Sequence, residues 1–109
     1  MNFDMNKMLK EAQRMQAELA KAQEEAASEV VEASAGGGMV TVKANGAGEV
    51  VSITIDPRAI DPDDPELLAD IVLAAVNEAL RSARALMESK MAGLMPGGLG
   101  DLGGLLPGA

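Results

Sequence analysis

The stretch from Gly36 to Pro57, GGGMVTVKANGAGEVVSITIDP, constrains this chain's fold more than any other part of it. Met39 to Ala44 and Val50 to Ile55 alternate and are rich in Val, Ile and Thr, which suits pleated, half-buried strands. Between them, Asn45-Gly46-Ala47-Gly48 supplies residues that tolerate the positive φ of a tight turn. Gly36-Gly37-Gly38 opens the first strand. Asp56-Pro57 ends the second, because proline has no N–H to continue a ladder. A period of two puts Val40, Val42 and Ala44 on one face of the first strand, and Val51, Ile53 and Ile55 on one face of the second. A two-stranded hairpin is marginal in water, so the long segments on either side are expected to cover it.

The segment before the hairpin predicts a helix from Asp4 to Ala27, capped by Asn2 or Asp4 and free of Gly and Pro. Met5, Met8, Leu9, Ala12, Met15 and Leu19 share one stripe, expected to face the core. Lys7, Lys10, Arg14 and Lys21 lie within about 60° of one another on a different face. That basic stripe is a candidate phosphate-binding surface. The plainer reading is a solvated face, because Lys7–Glu11, Arg14–Glu18 and Lys21–Glu25 are all spaced for i,i+4 pairs. Ser28 to Ala35, SEVVEASA, either continues the helix or forms a strand. A strand is favoured, because three strands under helices make a more viable unit than two. The sheet is then an antiparallel meander.

After the hairpin comes Asp61-Pro62-Asp63-Asp64-Pro65-Glu66. It lacks the ligand spacing of a calcium loop. It reads instead as a helix start, with Asp64 as N-cap, Pro65 in the first turn and Glu66 at the positive end of the dipole. The helix runs from Pro65 to Ala92. Its polar residues Glu66, Asp70, Asn77, Arg81, Arg84 and Glu88 span about 60°. Leu67, Leu68, Ile71, Val72, Leu73, Val76, Leu80, Leu86 and Met87 spread around the rest. One sheet face does not cover so wide an apolar surface, so a second copy of the chain is expected, with Ile71, Val72, Val76 and Leu80 at the dimer interface. Residues 1–92 form a single α+β domain in this reading. Residues 93–109, GLMPGGLGDLGGLLPGA, form a low-complexity tail with no usable period, expected to be disordered.

Composition excludes several functions. The chain lacks Cys, Trp, Tyr and His, and Phe3 is its one aromatic residue. There is no thiolate nucleophile or disulfide framework, no usual general base, and no stacking platform for single-stranded bases. No enzyme activity, cofactor or metal is expected. No apolar run approaches a signal-peptide core or a membrane span, which predicts a soluble, cytoplasmic protein without a membrane partner. The formal net charge is −8, which opposes non-specific attraction to nucleic acid as a whole.

The order of parts resembles the YbaB/EbfC family of bacterial nucleoid-associated proteins. The resemblance is carried by the Met/Gln/Lys-rich first helix, the turn from Asn45 to Val50 and the Ile55-Asp56-Pro57 ending. It continues through the linker Asp61 to Glu66, the residues Leu68, Asp70, Ile71, Val72, Ala74, Ala75, Val76, Asn77 and Ala79, and the Gly/Leu/Met/Pro tail. It implies an N-terminal helix, a three-stranded antiparallel meander and a long C-terminal helix, forming a homodimer with helical arms projecting like tweezers. It also implies non-catalytic binding of double-stranded DNA in the nucleoid, and recombination or replication proteins as neighbours. The arm residues suited to phosphates are Lys7, Lys10, Arg14 and Lys21, with Arg81, Arg84 and Lys90 on the second helix. The contrasting expectation is a protein-interaction scaffold that touches DNA weakly or not at all.

Overall fold

The computed structural model describes residues 4–94. The order is α1 (Met5–Ser28), β1 (Val30–Ala35), β2 (Val40–Asn45), β3 (Val50–Ile55), a short 3-10 turn (Pro57–Ala59) and α2 (Pro65–Ala92). The three strands form one antiparallel sheet in the order β1-β2-β3. Ser28 to Ala35 therefore splits, with the helix ending at Ser28 and a strand beginning at Val30. The proposed tail lies outside the described residues apart from Gly93 and Leu94.

The helix ends follow local chemistry. Asp4 caps α1 by accepting from the Lys7 N–H at 3.2 Å, and Asp64 caps α2 by accepting from the Leu67 N–H at 3.2 Å. Each satisfies an N–H that would otherwise lack a partner in the first turn. Gly36, Gly37 and Gly38 all take positive φ and turn β1 into β2. The β2–β3 turn works differently from the expectation. Only Gly48 takes positive φ there (85°), and the Asn45 side chain accepts from the N–H groups of Ala47 and Glu49.

Gly46 serves another purpose. Its N–H donates to the Ala26 carbonyl at 2.9 Å and the Glu29 carbonyl at 3.2 Å, fastening the end of α1 to the hairpin. A Cβ at this position would run into the Ala26 carbonyl. Gly46→Ala is expected to destabilise the fold by about 1–3 kcal/mol, the usual cost of overpacking. A urea titration checks this, and an unshifted midpoint would contradict it.

The core is small-residue packing between α2 and two strands. Ala75, Ala79 and Ala83, one helical turn apart, meet Ala33, Val40, Val42 and Ala44. The alanines let the helix lie close on the sheet. Leu68, Ile71, Val72, Val76 and Leu80 flank the contact and are partly buried by it. α2 crosses β1 and β2 and leaves β3 largely bare. Ile53 lies opposite Val42; Val42 is fully buried, while Ile53 keeps 46% of its surface exposed. The shared face of Val51, Ile53 and Ile55 is also interrupted. A register shift pairs Ala44 with Val50 and Lys43 with Ser52, so Val51 is the extra residue of a bulge.

Candidate nucleic-acid interface

The two ends of the sheet face different surroundings. At one end, the Gly36 backbone approaches the Ile71 side chain, which places the start of α2 beside the β1–β2 turn. At the other, Gly46 meets Ala26. The end of α2 reaches this second end too, where Lys90 pairs with Glu29 at 2.6 Å. Beyond it the helices run antiparallel. Met87 and Met91 lie against the Ala20–Ala27 part of α1, and Leu94 reaches Met15 and Leu19. The first turns of α1 extend further still. The Cα radius of gyration is 20.5 Å, against about 13 Å for a compact chain of roughly this length. The molecule is elongated, with a helical arm at one end.

This layout corrects the first expectation for α1. Its apolar stripe does not face the chain's own core along its length. Only Ala22 and Ala26, near the sheet, are buried. Met5 is 72% exposed, Met8 55% and Leu9 58%. The basic stripe lies on nearly the opposite side of the helix, roughly 160° away at 100° per residue.

Seven of the nine basic residues lie on α1 or on α2 from Arg81 onward: Lys7, Lys10, Arg14, Lys21, Arg81, Arg84 and Lys90. Between Asp56 and Asp70, by contrast, stand six carboxylates and only Arg58. Arg58 is paired with Asp56 at 2.8 Å, and its guanidinium holds the Asp56 carboxyl below the usual range. This acidic segment leads into the start of α2, at the sheet end away from the arm. The charge of −8 is therefore unevenly spread.

The candidate residues are not equivalent. Lys7, Lys10, Lys21 and Arg84 are exposed and have no ion-pair partner among the described residues. Arg14 is held by Glu11 at 2.9 Å and Glu18 at 2.8 Å. The hydrogen bond that Arg14 donates to Glu11, and then the Glu11 charge, reinforced by Glu18, stabilise the cation. Arg81 binds Glu78 at 2.7 Å. Lys90 is the most committed, because its bond to Glu29 ties α2 to the α1–β1 junction and raises its own pKa. Of the three i,i+4 pairs anticipated on α1, only Arg14–Glu18 is formed among the described residues. Sequence spacing alone gave no sign of the Lys90–Glu29 contact, because its partners are distant in the chain.

The dimer candidates Ile71, Val72, Val76 and Leu80 all flank the intrachain core and are half-buried by it. Larger uncovered apolar groups lie elsewhere. Leu73, 58% exposed, sits on the side of α2 turned from the sheet, and β3 presents Val50, Val51 and Ile53.

Comparison with known proteins gives a consistent result. The model of the YbaB/EbfC DNA-binding family matches residues 1–99. The chain is 54% identical over 95 residues to nucleoid-associated protein Teth39_2199 of Thermoanaerobacter pseudethanolicus, covering 87% of this chain and 86% of the relative. It is 49% identical over 109 residues to a nucleoid-associated protein of Saccharopolyspora erythraea, covering 96% and 93%. The crystal structure of uncharacterized protein HP0035 from Helicobacter pylori superposes with a TM-score of 0.68 at 25% identity, covering 77% of this chain and 88% of that one. The helix–meander–helix order, the glycine-punctuated hairpin and the family match over nearly the whole length agree: the chain belongs to the YbaB/EbfC family of non-catalytic, DNA-binding, nucleoid-associated proteins.

Proposed function

We propose that this protein binds double-stranded DNA in the nucleoid as a homodimer, through phosphate contacts made by its helical arms. The separation of charge carries this reading. A molecule of net charge −8 approaches a polyanion through the region where its acids are least in excess. The six carboxylates of Asp56 to Asp70 lie at the end opposite the arm, while on α1 and its N-cap five acids stand beside four basic residues. Lys7, Lys10 and Lys21 climb one exposed side of α1 over about 21 Å, at 1.5 Å per residue, a span that reaches several phosphates. Phosphate contacts carry no direct sequence information, so binding is largely indifferent to sequence. Recombination and replication proteins belong to this reading as neighbours on the same DNA.

The second copy follows from uncovered apolar surface. The inner side of β3 and the outer side of α2 leave Ile53, Leu67 and Leu73 in water. A partner seated there covers them and abuts the half-buried Ile71, Val72, Val76 and Leu80. Sedimentation across a dilution series is expected to give twice the 11.2 kDa chain mass. A stable monomer at micromolar concentration would exclude the dimer.

A salt-titrated mobility shift with the full chain tests DNA binding. If about three to six phosphates are neutralised, the log–log slope is near −3 to −5. No shift of duplex DNA even at about 50 mM salt, where such contacts are strong, would leave the protein-interaction scaffold as the better description.

A further inference from the structure

The outer part of the α1 apolar stripe, Met5, Met8 and Leu9, is exposed, and Met91 and Leu94 cover Met15 and Leu19 only in part; the surroundings indicate what completes the cover. Ala12, Met15, Gln16 and Leu19 form a groove with Met91 and Leu94. Met5, Asn6, Met8 and Leu9 line a second hollow further out on the same side. α2 approaches this stripe antiparallel to α1, and the described chain ends at Leu94, which lines this groove.

We propose that residues 95–109 of the same chain lie along the α1 stripe and complete the core of the arm. Three observations support this occupant. The first is position, since the described chain ends at Leu94, on the wall of the groove. The second is length. Leu99, Leu102 and Leu105 recur every third residue, which puts them on one face of a polyproline II segment. That face spans about 19 Å at 3.1 Å per residue, and Met5 to Met15 spans about 15 Å of helix at 1.5 Å per residue. The third is chemistry. The segment is Leu, Gly and Pro with Met95, Ala109 and Asp101, its one charged side chain. Its glycines allow a close approach to the helix, and its leucines match a surface of methionine and leucine. Lys7, Lys10 and Arg14 lie on the far side of α1 from the groove and stay open to solvent when the segment is in place. Too glycine-rich to fold alone, the segment takes its order from α1.

The absence of native cysteine allows a direct test. In the full chain, Met8→Cys with Leu102→Cys is expected to form an intrachain disulfide on mild oxidation, at a rate unchanged by tenfold dilution. Moving the first cysteine to the basic side, as Lys10→Cys with Leu102→Cys, is expected to slow cross-linking at least tenfold. Adding Leu99→Ser and Leu105→Ser to the Met8 pair is expected to slow it similarly. Equal rates for the Met8 and Lys10 pairs would mean a tethered segment that does not dock, and would overturn the proposal. Cross-links formed only between two chains would overturn it equally, by assigning the stripe to a second copy.

Discussion

Replacing Ala79 with aspartate is expected to leave the chain unfolded at 25 °C. Ala79 has no exposed surface and sits between Ala75 and Ala83 on the line where α2 presses against Val40, Val42 and Ala44, all equally buried. Two costs combine there. The helix is close to the sheet because its contact residues are alanines, so a larger side chain forces the layers apart. A carboxylate there also has no partner, since no buried polar or charged side chain occurs among the described residues. An unpaired charge in such a place costs several kcal/mol, against a total stability of about 5–15 kcal/mol for a domain of this size. Val76→Asp, on the half-buried flank, acts in the same direction with a smaller effect and weakens any dimer that covers it. Ala74→Asp is the control. Ala74 is exposed on the same helix, and surface changes usually stay within about 0.5 kcal/mol. Far-UV circular dichroism with a thermal scan separates the three. A cooperative transition for Ala79→Asp at the parent temperature would mean that α2 does not pack on the sheet as described.

The parts of the fold most legible in the sequence are those with strong local punctuation. Asp4 and Asp64 announce helix starts because a short carboxylate satisfies first-turn N–H groups wherever it occurs. The three glycines before Met39 mark a turn because few other residues adopt positive φ in succession. The sheet face of Val40, Val42 and Ala44 follows from alternation. What periodicity cannot supply is the partner of a face. The apolar stripe of α1 is plain in the sequence, but its spacing is the same whether a sheet, a second chain or the chain's own end lies against it. Gly46 is similar. As a turn residue it was readable, but its closeness to Ala26 depends on how α1 returns to the hairpin. The bulge at Val51 is a property of two strands together, invisible in either alone. The candidate site was half legible for the same reason. The basic stripe is local, whereas the removal of the Asp56–Asp70 acids to the other end of the molecule is a product of topology. A net charge summed over the sequence hides that separation.

Reversing Lys7 and Lys10 together, as Lys7→Glu with Lys10→Glu, is expected to abolish duplex DNA binding while preserving the fold. Both side chains are exposed and without an ion-pair partner among the described residues, so nothing inside the chain depends on them. Lys7 stands in the first turn of α1, where negative charge favours the helix dipole. Lys10→Glu is spaced i,i+4 to Arg14, which offsets the like-charge spacing of Lys7→Glu to Glu11, so the helix changes little in stability. Each lysine that neutralises a phosphate contributes about 0.9 to the log–log salt slope. Losing two on each arm of a dimer removes about 3.6 of a slope expected to lie near −3 to −5. The added glutamates then repel what remains. The opposite sign is available on the same helix. Arg14 is held between Glu11 and Glu18, so Glu11→Gln with Glu18→Gln frees a guanidinium and removes two nearby negative charges. That variant is expected to bind more tightly than the parent and to show a steeper salt dependence. Lys90→Gln is expected to change DNA binding least of the basic-residue variants, because Lys90 is already committed to Glu29. Mobility shifts on the same duplex across a salt series measure all of these. If the Lys7/Lys10 reversal bound as well as the parent, the stripe would be a solvated face and the contact with DNA would have to be sought elsewhere on the molecule.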